Sequence, residues 1–181
     1  MKQEKTDNLQ PGGVSAPRFD AIDRKISAAL VKDAGRSFAS LSEEIGLSAA
    51  ALHERVKRLR ANGVIRRTQA ALDGAKIGKP LLAYIHVTTA GWGITPGLMK
   101  IAQLPEVEEV QTVTGDISVI MKVRVSHSLA LQGLLARLYK LKEVRATSSH
   151  VVLSTHQERP VQAEITEDLG SEVAVGIIPE V

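Results

Sequence analysis

The sequence predicts an α+β protein with two domains, an N-terminal winged helix-turn-helix and a C-terminal ferredoxin-like βαββαβ sandwich. Three observations lead to this prediction. Three short amphipathic helical patterns precede residue 63, a strand-helix-strand pattern occurs twice between residues 81 and 154, and the charge balance differs between the halves. Residues 1–79 carry 15 Lys and Arg against 9 Asp and Glu, whereas residues 80–181 carry 8 against 11. A basic first half indicates a polyanionic partner for that half.

The composition of the 181-residue chain is that of a globular protein with room for two small cores. There is no cysteine, so disulfides and thiolate metal sites are excluded. No apolar run approaches the roughly 20 residues that span a bilayer, and the N-terminus has no hydrophobic signal core. We therefore expect a cytoplasmic protein with no membrane partner. Residues 1–19 are polar and contain Pro-Gly-Gly, which predicts a disordered tail.

Residues 20–72 are expected to form the first domain, and each of its three helices has a start signal. Asp20 can cap the first helix, Ser37 the second and Ser48 the third, which runs to about Asn62. Gly46 suits the left-handed end of the second helix. A short glycine turn before a basic helix is typical of a helix-turn-helix. The following segment, VIRRTQAALD, has room for a strand that would serve as the wing.

The third helix has one apolar and one basic side. Leu52, Val56 and Leu59 fall on one face and predict its buried stripe. Six basic residues against one acidic residue occupy positions 48–67, which suits phosphate contacts if this helix enters a DNA groove. A solvated surface with weak ion pairs, such as Arg55 with Glu54 or Glu44, is the alternative. The candidate DNA-contacting residues are Ser48, Ala49, Ala50, His53, Glu54, Arg55, Lys57, Arg58, Arg66 and Arg67.

The second half follows a linker, DGAKIGKP, at residues 73–80. Residues 81–158 predict strands at 81–89, 107–113, 117–125 and 144–154, with helices at 96–104 and after Ser126 or Ser128. The two units echo each other, LPEVEEV against LKEVRAT. The sheet face away from the helices is expected to be partly apolar, through Leu82, Tyr84, Ile120 and the valines beside Lys122, which favours a homodimer. Residues 159–181 form a C-terminal extension without a predicted structure.

These features resemble those of the Lrp/AsnC (feast/famine) transcriptional regulators. The resemblance of the first half is carried by Asp20, Asp23, Gly46, Leu47, Ser48, Arg55, Arg58, Leu59, Gly63, Val64 and Ile65. The second half is similar to their ligand-sensing domain, and together the likeness spans residues 19 to about 158. It implies a homodimer, assembled further into a tetramer or octamer of dimers, that binds double-stranded DNA. It also implies no enzymatic activity, no metal, and no cofactor other than a small-molecule effector such as an amino acid.

The resemblance also implies an effector site at the interface of the C-terminal domains. Gly115 would allow a tight turn, Asp116 could accept a hydrogen bond from an ammonium group, and Ser118, Thr147 and Ser149 could hydrogen-bond a carboxylate. The family's turn commonly reads Gly-Asp-aromatic-Asp, whereas Ile117 and Ser118 occupy the last two places here. A hairpin turn with no ligand is the alternative interpretation of Gly115 and Asp116.

Two other functions are weighed against DNA regulation. Siroheme decarboxylases resemble the same two-domain plan, but the Arg/His-rich segment that follows their helix-turn-helix corresponds here to IRRTQAALDGAKIGKP, which has no histidine. A sensing or scaffold module without DNA binding is the second. No glycine-rich phosphate loop or Gly-x-Ser-x-Gly elbow is present. The histidines are scattered at His53, His86, His127, His150 and His156, and those at 86 and 150 are expected to be ordinary strand residues.

Overall fold

A computed structural model of the chain describes residues 19–166 except residue 92. The chain divides into two compact units between Gln69 and Ala70, and residues 159–166 belong with the first unit. Of the predicted N-terminal tail only Phe19 lies within the described residues, and the predicted C-terminal extension lies within them only as far as Thr166. The predicted linker at residues 73–80 belongs with the second unit, where the Lys79 ammonium donates to the Pro105 carbonyl at 2.7 Å.

Among its described residues, the first unit contains three helices, α1 (Ala21–Lys32), α2 (Phe38–Ile45) and α3 (Ala49–Ala61). The structure confirms their predicted N-caps, because Asp20, Ser37 and Ser48 each accept a hydrogen bond from a backbone N–H three residues later. Gly46 ends α2 with a φ of 76°, a left-handed conformation that glycine adopts without a steric cost. The apolar faces meet in a small core, formed by Ile26, Ala29, Leu41, Leu52, Val56 and Leu59.

The predicted wing does not form as a strand. Residues 64–73 all lie in the described part of the chain and contain no strand. The backbone N–H of Ile65 donates to the carbonyl of Leu59 at 3.1 Å, which holds the chain against the end of α3. An extended segment that pairs with no other strand forms no ladder of hydrogen bonds. The weak alternation of this segment is therefore not enough to make it a strand.

The second unit is a four-stranded antiparallel sheet in the order β2-β3-β1-β4 with two helices. This is the arrangement predicted from the duplicated strand-helix-strand pattern. Its elements are β1 (Leu81–Thr89), α4 (Pro96–Ala102), β2 (Val107–Thr112), β3 (Val119–Val125), α5 (Ser128–Tyr139) and β4 (Val144–Val151). The expected cap of α5 was wrong: His127, rather than Ser126 or Ser128, is the N-cap, and its side chain accepts from the Ala130 N–H. Its imidazole nitrogen can act as an acceptor in place of a hydroxyl.

The sheet has a helix side and an open side. Ala83, Ile85 and Val87 of β1 are buried in the core with the helices. Strand alternation puts Tyr84 and His86 on the open side. The expectation that valines beside Lys122 line the open side was wrong, because the same alternation turns Val123 into the core, where it is fully buried.

The open side is crossed by the chain that follows β4. The N–H of Val152 donates to the carbonyl of Leu82 at 2.9 Å. Farther along, the Glu158 carboxylate reaches Lys122 and Arg124 on β3, at 2.5 Å and 3.7 Å. The open side is therefore more charged than the apolar surface expected from the sequence.

Candidate nucleic-acid interface and effector region

Helix α3 presents its polar side to solvent. Leu52, Val56 and Leu59 are buried against α1 and α2 as predicted, which turns the opposite side outward. Most of the predicted DNA-contacting residues are exposed, namely Ser48, Ala49, Ala50, His53, Glu54, Lys57, Arg58, Arg66 and Arg67. The first turn of the helix therefore exposes a run of three alanine residues, followed by cations.

Two arginines of α3 are held by carboxylates of α1. Arg55 Nη1 lies 2.8 Å from Asp20 Oδ2 and 2.8 Å from Asp23 Oδ1. Arg58 Nη2 contacts both oxygens of Asp23, at 2.9 Å and 2.8 Å. Asp23 is fully buried, whereas the Arg55 and Arg58 side chains are 24% and 48% exposed. Asp23 is thus a buried charge whose compensation comes from two partly hydrated guanidinium groups.

The ion pairs also affect the ionisation of the surface members of this group. The Arg55 guanidinium, and then the backbone N–H of Asp23, donate to Asp20 and hold the pKa of that carboxyl below its usual value. Hydrogen bonds to Asp20 and then Asp23 raise the pKa of Arg55. Asp20 and Asp23 also form a reciprocal capping box at the start of α1. The two carboxylates therefore cap the N-terminus of α1 and also hold α3 against α1 through ion pairs.

The sequence did not reveal this pairing. The surface partners proposed for Arg55 were Glu54 or Glu44, but Glu44 instead pairs with Arg36 at 2.6 Å. The signal that could have identified the pairing was present, since two aspartates three residues apart share the N-terminal turn of α1. Arg55 and Arg58 have the same spacing on α3, so the two pairs match when the helices cross.

A second group of cations has no acidic partner. Within residues 19–166, apart from residue 92, Lys57, Arg60, Arg66 and Arg67 have no carboxylate oxygen within 4.0 Å. Arg60 was missed in the sequence-based set, although it lies on the exposed side of α3. His53 packs edge-on against Phe38 of α2, with ring centroids 5.9 Å apart.

The predicted effector residues fall in two groups. Ser118 and Thr147 lie on either side of Val87 in β1. The Ser118 N–H donates to the Val87 carbonyl at 2.9 Å, and Thr147 of β4 is the cross-strand partner of Val87. Because Ser118 and Thr147 lie on opposite sides of β1, two strand spacings separate them by about 10 Å. Ser149 lies two residues farther along β4, opposite Ile85. The remaining two, Gly115 and Asp116, are exposed in the β2–β3 turn, where Gly115 has a φ of 112°.

Both hydroxyls that flank Val87 already have partners. Ser118 Oγ accepts from the Thr89 N–H at 3.1 Å, and Thr147 Oγ1 donates to Tyr139 Oη at 2.9 Å. Each can still accept a further hydrogen bond. In the described part of the chain no group of three or more His, Asp or Glu residues is placed to hold a metal ion. None of the helices found there has the length and apolar character needed to cross a membrane.

Each of the two units matches a known protein domain. Residues 19–66 match a winged helix-turn-helix DNA-binding model, and residues 82–162 match the Lrp/AsnC ligand binding domain. The HTH-type transcriptional regulator FL11 of Pyrococcus horikoshii is 32% identical over 140 residues, which cover 77% of this chain and 93% of that protein.

Solved structures show the same two-domain plan. A crystal structure of an AsnC family transcriptional regulator from Agrobacterium tumefaciens has a TM-score of 0.71 at 27% identity, over 82% of this chain and 97% of that one. The feast or famine regulatory protein Rv3291c from Mycobacterium tuberculosis, complexed with L-methionine, has a TM-score of 0.68 at 30% identity, over 78% and 99%. The chain thus belongs to the Lrp/AsnC family of DNA-binding transcriptional regulators.

Proposed function

We propose that this regulator is cytoplasmic, binds specific DNA sites as a homodimer or a larger assembly of dimers, and responds to a small metabolite such as an amino acid. The observation that carries DNA binding is the division of the basic residues around α3. Arg55 and Arg58 are held by buried and capping carboxylates, whereas Lys57 and Arg60 are exposed. The exposed group supplies the charge for phosphate contacts.

The first turn of α3 has little capacity to identify bases by hydrogen bonding. Ala49 and Ala50 can only approach closely and contact thymine methyl groups. His53 and Glu54 are then the side chains available for base edges, while Arg66 and Arg67 extend the phosphate contacts of Lys57 and Arg60. Specificity would come in part from DNA that bends easily and from two recognition helices that contact half-sites one helical turn apart.

The test is fluorescence anisotropy of the full chain with duplex DNA from its own upstream region, measured across a salt series. We expect Lys57→Ala with Arg60→Ala to weaken binding at least tenfold at low salt. The slope of log affinity against log salt should decrease by about 2, because two phosphate contacts are lost. The matched control is Lys25→Ala with Lys32→Ala, which removes two cations from α1 and should leave the slope unchanged. Equal slopes in both double variants would refute the proposed interface.

The effector proposal is supported by the mycobacterial relative, which was solved in complex with L-methionine. In this chain Ser118 and Thr147 offer hydroxyls beside Val87, and Asp116 offers a carboxylate in the adjoining turn. A small ligand with an ammonium and a carboxylate would use both types of group.

A thermal-shift screen of the amino acids, followed by calorimetry of any that stabilise the chain, tests this assignment. Ser118→Ala and Asp116→Asn should each weaken the ligand at least several-fold. Ser126→Ala, an exposed serine outside the candidate region, should not. If no amino acid stabilised the chain, or if the three variants bound one equally, the effector region would be misassigned.

The open side of the sheet is proposed as the surface where two copies pair. Tyr84 is 39% exposed there, although Leu82 on the same side is buried within the single copy. Light scattering of Tyr84→Glu should show a smaller species than the wild type, because a charge would be buried on pairing. Leu129→Glu, which changes an exposed leucine on α5, is the control. If Leu129→Glu dissociated the assembly and Tyr84→Glu did not, the pairing surface would lie on the helix side of the sheet instead.

A further inference from the structure

Two histidines meet on the open side of the sheet. His86 lies on β1 and His150 on β4, and their ring centroids are 4.8 Å apart with the ring planes tilted by 49°. The strand register pairs His86 with Ser148, which makes His150 its diagonal neighbour on the same side. The sequence predicted two unrelated strand residues here, because their separation of 64 positions conceals the contact.

The spacing of the rings matches that of two imidazoles bound to one metal ion. A metal-nitrogen bond of about 2.0–2.1 Å puts the ion about 3.2 Å from each ring centroid. Two such rings at an angle of about 90–109° at the ion have centroids about 4.5–5.2 Å apart. The observed separation of 4.8 Å lies in the middle of this interval. The spacing of the rings therefore fits a shared ion without a change in backbone register.

One ring nitrogen has a polar partner on the side of the other histidine. His150 Nε2 lies 3.2 Å from Ser148 Oγ, and Ser148 is the cross-strand partner of His86. A nitrogen in this position is close to where a shared ion would lie, and the Ser148 hydroxyl is available to a water bound to that ion. In a single copy His150 is exposed and His86 is half-buried, so an ion can reach both rings from solvent before two copies pair on this side.

We propose that His86 and His150 form a two-histidine site for a late first-row transition metal ion, of the class of Cu²⁺ or Zn²⁺. Imidazole nitrogen suits these ions, whereas Mg²⁺ and Ca²⁺ prefer oxygen ligands. The chain has no cysteine, so no thiolate competes for the ion. Water completes the coordination of the ion.

The chain contains its own matched control in His156. His156 Nε2 lies 3.3 Å from Ser154 Oγ, which repeats the Ser-x-His arrangement of Ser148 and His150. In the part of the chain that the structure describes, His156 has no second histidine ring in contact. It therefore reproduces the local chemistry of one ligand without the second.

The experiment titrates the full chain with Cu²⁺ by calorimetry and records the electron paramagnetic resonance spectrum of the bound ion. We expect His86→Ala and His150→Ala each to weaken binding at least tenfold, because the second imidazole binds at a high effective concentration. Nitrogen coupling in the spectrum should change from two nitrogens to one. His156→Ala should leave both measurements unchanged.

Equal affinity in the wild type and in both variants, or coupling to one nitrogen in the wild type, would overturn the site and leave an aromatic contact only. His150→Asn, which keeps a polar group at an exposed position, provides the same comparison if an alanine variant does not fold. Light scattering of each sample separates a lost ligand from a change in pairing on the same surface. The outcome does not depend on DNA binding or on an amino-acid effector.

Discussion

The two units each contain a cluster of opposite charges, and the clusters differ in their exposure to water. In the helical unit the central carboxylate, Asp23, is fully buried and is contacted by Arg55 and Arg58. In the sheet unit the central cation, Lys122, contacts Glu108 and Glu158, whose side chains are 32% and 53% exposed. In the helical unit the ion pairs compensate the charge of a carboxylate that has lost its water. In the sheet unit the carboxylates remain partly exposed to water.

This difference determines which residues can vary without loss of the fold. A buried carboxylate without a cation is strongly unfavourable, so Asp23 makes Arg55 and Arg58 part of the structure. A half-exposed carboxylate can be hydrated instead, so each ion pair of the sheet cluster contributes little. On α3, cations with the same charge therefore divide into a structural group and an exposed group, and the exposed group is the one proposed to contact DNA.

The largest effect is expected from removal of both structural arginines. Arg55→Ala with Arg58→Ala leaves Asp23 buried without a cation and should destabilise the helical unit by about 3–5 kcal/mol. Lys57→Ala with Arg60→Ala removes the same charge from the same helix and should change stability by less than about 0.5 kcal/mol. Urea unfolding followed by circular dichroism measures both.

Neutralising the buried carboxylate should recover part of the lost free energy of unfolding. Asp23→Asn in the background of the two arginine substitutions removes the unpaired charge, so stability should increase relative to that double variant. If stability fell further instead, the cost would arise from lost packing of the arginine side chains rather than from the unpaired charge.

The pairing of Asp20 with Arg55 predicts acid sensitivity of the helical unit. Because the folded pKa of Asp20 is below its ordinary value of 3.8, this contribution is present above that value and is lost as the pH falls through the folded pKa. Asp20→Asn should therefore make stability less dependent on pH below about 4, as measured by acid titration of the helical signal. Glu54→Gln, an exposed change on α3, should leave the titration unchanged. Identical titrations of the wild type and Asp20→Asn would contradict the assignment.

The sequence predicted the parts of the fold that depend on local chemistry. Asp20, Ser37 and Ser48 were identified as helix starts because an N-cap acts within three residues. The four strands were identified by apolar runs and by the duplicated pattern. The His127 cap was missed because histidine is not a usual capping residue, and only the structure shows its acceptor nitrogen against Ala130.

The features that the sequence missed are those that join residues distant in the chain. Asp23 and Arg58 are 35 positions apart, so their contact depends on how α1 and α3 cross. The contact between His86 and His150 depends on strand register, and a shift by one residue would place them on opposite sides of the sheet. The predicted wing did not form for the converse reason, because its local alternation was present but the described residues offer no strand to pair with it.

The smallest effect is expected from the sheet cluster. A hydrogen bond from Lys122 holds the pKa of the Glu158 carboxyl below its usual value, so Glu158→Gln removes an ion pair that is formed at neutral pH. Because the Glu158 side chain is 53% exposed, we expect a loss below about 1 kcal/mol in urea unfolding of the sheet unit. The loss should shrink further at high salt, where surface charges are screened. A loss comparable to that of the two arginine substitutions, and insensitive to salt, would mean that Glu158 holds the chain after β4 onto the sheet, which would remove the proposed contrast between the two clusters.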